Sequence, residues 1–349
     1  MKHVNIPIFI PHLGCPNDCV FCNQRRISGK TDFDISSVED EILRAVQTVD
    51  YENSDVEIAF FGGSFTGIDR GDMLYLLSLA KKYVDMGKAR SVRLSTRPDY
   101  INGEILDILA AHSVTDIELG LQSMDDEVLA VSKRGHTSEQ ARIACRMIKS
   151  RGFGLVGQMM IGLPGSDVEK EINTAREIVA LGCDAVRIYP TVVFCETELA
   201  DMMDRGEYAP LDTESAVERS AAALEVFVDA GIPVIRLGLQ SSDNLLDGEI
   251  AVAGAYHSAI GEMVQSRLYL KRICEGLNAL PDTGRTEGAL RIFVPAGEVS
   301  KASGQKKYNK QVLSREYGFR DIRIIEDPSL TVYSVRLEFI GKGENKICT

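Results

Sequence analysis

The stretch "GCPNDCVFC", Gly14–Cys22, sets Cys15, Cys19 and Cys22 in a C-x3-C-x2-C spacing just after the β-branched run "VNIPIFI", Val4–Ile10. Three thiolates on one short loop are soft donors that suit an iron–sulfur cluster or zinc. A structural zinc site is usually closed by four protein ligands, and His3 or His12 could supply the fourth. A [4Fe–4S] cluster held by three cysteines instead keeps one iron open to an external ligand. The spacing favours iron–sulfur and leaves zinc open.

Outward from that loop, composition bounds the rest. The chain has 349 residues, of which 44% are hydrophobic, enough to bury a sizeable core. Beyond the cluster, Cys145, Cys183, Cys195, Cys274 and Cys348 are scattered singles that read as small buried hydrophobes rather than a disulfide scaffold. No apolar run approaches the roughly 18 residues a bilayer demands, and the N-terminus lacks a signal-peptide layout. The expectation is a soluble, cytoplasmic protein with no membrane partner. Formal net charge is −12, which argues against a surface coated with phosphate-binding groups. From Gly284 to Arg323, however, nine Lys/Arg face four Asp/Glu, so nucleic-acid contact is expected in the C-terminal part.

Seven short strand-like runs alternate with amphipathic segments over the first two-thirds. They are Val4–Ile10, Val56–Gly62, Ser91–Thr96, Asp116–Leu121, Gly154–Gly162, Asp184–Pro190 and Ile232–Leu239. Helical periodicity fills Ser37–Val49, Gly71–Val84, Glu139–Lys149, Val168–Ala180 and Thr213–Ala230. Such alternation implies right-handed βαβ units on a parallel sheet, open or closed into a partial barrel. The chemistry of these folds collects at the C-terminal ends of the strands, where the cysteines, "GGS", "TRPDY", "LQS", "IGLPG" and "YPT" all fall. Past Gln240 the pattern turns loop-like, then helical over Gly261–Glu275, with "LNALPDTGRTEG" as a linker. The organisation expected is a core over residues 1–240, a connection over 241–283 and a small α/β module over 284–349.

"CPNDCVFC" resembles the cysteine signature of the radical S-adenosylmethionine (SAM) superfamily, including the aromatic Phe21 before the third cysteine. The resemblance implies an α/β fold, a partial (βα)6 TIM-type barrel, in which SAM chelates the open iron of a [4Fe–4S] cluster. One electron, from a donor such as flavodoxin or ferredoxin, would cleave SAM to methionine and a 5′-deoxyadenosyl radical. On the same resemblance, Gly62, Gly63 and Ser64 are similar to a GGE-type motif at the SAM ammonium. Serine departs from the acidic residue there. In coproporphyrinogen-oxidase-like relatives an arginine pairs with the SAM carboxylate near a glutamine, and Arg134 and Gln122 match them. Gln158 matches a ribose contact, and the backbone of Ile161 and Gly162 would flank adenine. Each has a plainer reading: a glycine turn, a solvated Lys133–Arg134 pair, a satisfied core amide.

"STRPDY", "IELGLQS", "RGHT" and "RIYPTVV" together resemble the radical SAM portion of the catalytic subunit of Elongator, a tRNA wobble-uridine modifying enzyme, over most of Arg93–Leu239. Nothing after Gln240 resembles that subunit's acetyltransferase domain. Arg97, Asp99, Arg187 and Tyr189 are expected on the substrate side, or else as a salt-bridge network at the barrel lip. "SGQKKYN" is loosely similar to the GXXG bend of a KH RNA-binding module, with Gly304 at the first glycine and Lys307 at the second. Lys306 and Lys307 would add charge for tRNA or another RNA. The plainer reading is a small lid, and His257 reads as structural unless it reaches the barrel mouth. The functions expected are radical SAM chemistry on RNA, or on a small molecule such as a tetrapyrrole, or a non-catalytic zinc-bound RNA-binding scaffold. A methylthiotransferase is disfavoured, because no upstream three-cysteine segment precedes the cluster.

Overall fold

The structure, a computed structural model, describes residues 2–10, 13–15, 19–23, 33–51, 53–239, 250–279, 289–340 and 345–348. His12, Gln240 and most of the expected linker lie outside them.

Apolar residues at every second position send Ile6, Ile8 and Ile10 of β1 (Lys2–Ile10) to one face, where all three are buried. The chain continues through α1 (Val38–Thr48), β2 (Ser54–Gly62), α2 (Arg70–Asp85), β3 (Ser91–Thr96), α3 (Gly103–Ala111) and β4 (Val114–Gln122). Then come α4 (Asp126–Val131), α5 (Ser138–Ser150), β5 (Gly154–Ile161), α6 (Val168–Ala180) and β6 (Ala185–Pro190). A short β7 (Val192–Phe194), α7 (Glu198–Asp204), α8 (Thr213–Asp229) and β8 (Val234–Leu237) complete this part.

The strands form a seven-stranded parallel sheet in the order β1-β2-β3-β4-β5-β6-β8, curled into the expected half-barrel. Helices cover its convex face in one apolar core that runs from Ile6 to Leu268. Pro7 is tolerated because β1 is an edge strand, where a missing N–H breaks no ladder. The helices begin on side-chain caps: Asp69, Asn102, Asp125, Thr137, Asp167, Thr197 and Asp212 each accept from a backbone N–H of the first turn.

Three features correct the sequence reading. "AVAG", read as loop, is β9 (Ala251–Gly254), which pairs antiparallel with β7. A four-residue strand carries too little periodicity to be seen without its partner. The helix expected from Gly261 is α9 (Ile260–Asn278), and its two halves serve different cores. Ile260, Val264 and Leu268 join the barrel core, while Tyr269, Ile273 and Leu277 join the C-terminal one. The C-terminal module is β10 (Ala289–Val294), α10 (Val299–Ser303), α11 (Tyr308–Tyr317), β11 (Asp321–Glu326), β12 (Arg336–Ile340) and β13 (Asn345–Cys348). Its sheet order is β11-β10-β12-β13, so a further strand lies beyond the one expected from Val332. That strand itself starts only at Arg336, because Thr331–Val335 turns.

Candidate active site

The cysteine loop leaves the C-terminal end of β1 and is held by backbone on both sides. Gly63 N–H donates to the Ile10 carbonyl at 2.9 Å and Ser64 N–H to the Leu13 carbonyl at 3.3 Å. The approach is close enough that a Cβ on Gly63 would meet the Leu13 oxygen at 2.3 Å, and one on Gly14 would meet the Ser64 oxygen at 2.2 Å. Beyond Cys19, Val20 N–H donates to the Ser132 carbonyl (3.3 Å) and the Val20 carbonyl accepts from Leu199 at the start of α7 (2.8 Å). Phe21 packs beside Val20, Val193, Leu199, Met202 and Tyr208. Three segments far apart in sequence thus fix the loop that bears the thiols.

Two buried guanidinium groups meet Cys19, itself buried. Arg134 Nη1 lies 3.2 Å from its Sγ and Arg97 Nη1 lies 3.9 Å away. Arg134 Nη2 donates to the Gly120 carbonyl at 2.6 Å. Arg97 is clamped by Asp99 through Nε at 2.9 Å and Nη2 at 3.0 Å, and also donates to the Arg134 carbonyl. Burial works against the Arg97 charge, but the Asp99 pair outweighs it and holds the group above the ordinary arginine range. Burial pushes the Cys15 thiol up and Cys19 adds to that, while Arg97 and Arg134 pull it down. Arg97 and Asp99, expected on the substrate side, therefore lie against the cysteine loop: the 3-10 turn at Pro98–Tyr100 folds them back toward it.

Gln122 ends β4 in a left-handed conformation (φ 65°), beside a register shift against β5. Its Oε1 and Arg134 Nε are both buried without a hydrogen-bond partner. Both side chains crowd Gly120, where an added Cβ would meet Gln122 Nε2 at 3.1 Å and Arg134 Nη2 at 3.3 Å. A buried donor and a buried acceptor that each lack a partner are costly unless a ligand satisfies them. The donor set fits the cofactors: soft thiols with positive charge beside them for a cluster, and a polar pair for an amino-acid group. Among the described residues no three His, Cys, Asp or Glu side chains converge as one metal ion would require. A cluster asks each thiolate for a separate iron instead.

The other residues expected at the cofactor have the following partners. Ser64 is fully buried in a hydroxyl network, 2.9 Å from Thr96 Oγ1, which Thr66 also meets at 2.6 Å. Gln158 donates its amide to Glu118 at 3.0 Å. The Ile161 carbonyl accepts from Thr191 twice, through N–H at 2.8 Å and Oγ1 at 2.7 Å. Gly162 N–H donates to Glu171 at 2.6 Å and its carbonyl accepts from Tyr208 at 2.7 Å. Glu171 is buried and braced by Arg219 at 2.8 Å.

The concave face holds a ladder of charge. Glu118, 1% exposed, accepts from Arg93 (3.3 Å) and Arg187 (2.8 Å), and Arg93 also bridges to Glu57 at 2.9 Å. Arg187 reaches the Tyr189 hydroxyl at 3.4 Å and lies 5.6 Å from the Phe61 ring centroid. Arg187 thus pairs with Glu118 while its Nε is buried without a hydrogen-bond partner. His257 is local: its Nδ1 accepts from Ala259 N–H at 3.0 Å in the turn into α9. Lys306 and Lys307 stand at the α10–α11 bend, both left-handed (φ 50° and 64°), and line a shallow cavity of about 580 Å³ with Gly297, Ser303 and Glu326.

Sequence reasoning passed over Glu118, Thr96 and His136. The imidazole of His136 is 4% exposed with both ring nitrogens unpartnered. It lies in "RGHT", two residues from Arg134, so the motif itself carried the signal. Glu118 was hidden because "IELGLQ" reads as strand, and only the curl of the sheet turns its side chain inward.

A parallel half-barrel with a three-cysteine loop at the C-terminal end of its first strand is the architecture of radical SAM enzymes. The chain belongs to the radical SAM superfamily: the superfamily model matches residues 9–178, and a radical SAM C-terminal domain model matches residues 183–270. It is similar to the tRNA uridine(34) acetyltransferase of Methanocaldococcus jannaschii, 31% identical over 196 residues, or 50% of this chain and 36% of that protein. The chain thus spans little more than a third of that relative. An uncharacterized protein of the same organism is 29% identical over 235 residues, covering 64% of this chain and 72% of its own. In structure the chain resembles the archaeal Methanocaldococcus infernus Elp3 lacking its N-terminus, at a TM-score of 0.60 and 23% identity, covering 77% of this chain and 63% of that one. This likeness supports the fold. Among the described residues no helix is long and apolar enough to cross a membrane.

Proposed function

We propose that Cys15, Cys19 and Cys22 hold a [4Fe–4S] cluster with one iron left to SAM, and that the enzyme uses SAM cleavage to modify tRNA or another RNA. When bound, the cluster and SAM supply one-electron cleavage to methionine and a 5′-deoxyadenosyl radical. The observation that carries this reading is that Arg134 Nε and Gln122 Oε1 are each buried without a partner, on two side chains that both pack at Gly120, with Arg134 also at Cys19. Arg134 would donate to the carboxylate of SAM and Gln122 would accept from its ammonium. Gly62, Gly63 and Ser64 contribute by bracing the cysteine loop, and the Glu171–Arg219 pair by fixing the turn at Gly162. A small one-electron carrier such as flavodoxin or ferredoxin would supply the electron.

The RNA half of the proposal is supported by the similarity to a protein named for tRNA uridine(34), and by the Lys306–Lys307 bend in the more basic C-terminal module. The test is anaerobic: reconstitute the cluster, add dithionite and SAM, and measure 5′-deoxyadenosine with and without total tRNA. Tenfold or greater stimulation by tRNA, abolished by ribonuclease, is expected. Cleavage indifferent to tRNA would move the substrate to a small molecule. No cleavage by a protein carrying four irons would overturn the SAM chemistry.

A further inference from the structure

We propose that Arg97 is a positioning residue for the cluster thiolates, raising the reduction potential of a cluster bound through Cys19. The inference rests on the reading of Cys15, Cys19 and Cys22 as cluster ligands. Arg97 is 3% exposed, so its charge is screened by protein rather than water. Three of its contacts fix it: two to Asp99 and one to the Arg134 carbonyl. Those use Nε and Nη2 and leave Nη1 turned to Cys19 Sγ at 3.9 Å. A guanidinium is charged at every working pH and rigid, so Asp99 aims it without neutralising it by proton transfer. A cluster gains negative charge on reduction, and a donor and positive charge at a ligating sulfur favour the reduced form. Arg134 is also at this sulfur, but its orphaned Nε is reserved for a ligand; Arg97 has no such vacancy. The same clamp ties the turn after β3 to the "RGHT" loop, so a structural role must be separated from an electronic one.

The experiment is an anaerobic redox titration of the reconstituted protein, following the cluster by electron paramagnetic resonance, with iron counted in every sample. Arg97→Gln is expected to lower the ratio of reduced to oxidised cluster about tenfold at a fixed potential, a shift of about 59 mV to more negative values for one electron. Arg97→Lys keeps the charge and is expected to recover more than half of that shift. If Arg97→Gln does not hold iron, Arg97→Met, which also removes the charge at Cys19, carries the test and should shift in the same direction. Equal potentials in the parent and in every variant that retains four irons would overturn the proposal. Failure of the parent to take up iron would instead sink the cluster reading beneath it.

Discussion

His136 shows what burial does to a single residue of the site. Loss of water, then the charge of Arg134, draws its pKa from 6.5 down to about 4. The folded chain therefore refuses a proton that the unfolded chain accepts between those values. Stability from this group is full above about pH 6.5 and declines as pH falls toward 4, by an order of 3 kcal/mol in all. His136→Phe should flatten that decline, since both ring nitrogens lack partners and nothing is orphaned by their removal. Urea midpoints of the cluster-free protein at pH 7.5 and pH 5 check this; equal slopes in parent and variant would refute it. Cys15, Cys19 and Cys22 are legible as a group in the sequence alone, because their spacing is a local quantity, whereas Arg134 and Gln122 were expected near them only on the family resemblance. The part of Arg97 is not, because only the turn at Pro98–Tyr100 decides which way it faces.

At the scale of elements, the site is a set of strand ends that lock one another. "GGS" at the end of β2 binds backbone to backbone with the cysteine loop, "STR" at the end of β3 supplies Thr96 to Ser64, and "RGHT" supplies both Arg134 and the Thr137 cap of α5. Gly63→Ala drives a Cβ into the Leu13 oxygen at 2.3 Å, so the loop must move. We expect a loss of about 2–3 kcal/mol in stability and a marked fall in bound iron, measured by thermal melting and iron analysis. Glu171→Ala is expected to cost about 3–5 kcal/mol, because it strands the Arg219 charge and the Gly162 N–H together. Glu171→Gln, which keeps one acceptor, should lose less; equal losses would argue against the pair. Helices α1, α2, α5, α6 and α8 were readable from periodicity. β7, β9 and α7 were not, since short elements are stabilised by partners distant in sequence.

At the scale of the whole molecule, α9 shares its length between the barrel core and the C-terminal core. The two helices that flank the basic Lys306–Lys307 bend pack against that same helix. If RNA is the substrate, Lys306→Glu with Lys307→Glu should weaken tRNA binding about uniformly across sequences and lower the salt slope by roughly 2. Iron content and tRNA-free SAM cleavage should stay at parental levels; filter binding across a salt series gives the answer. By itself the sequence determined a parallel α/β sheet, the three thiols and the motifs at its strand ends, because hydrophobic period and cysteine spacing are local quantities; closure into a half-barrel was expected only on the family resemblance. Only the tertiary structure decided which of those motif residues face the thiols and which merely brace them. Direction of a side chain depends on the curl of the sheet and on backbone closures between residues tens of positions apart, and no local pattern encodes that.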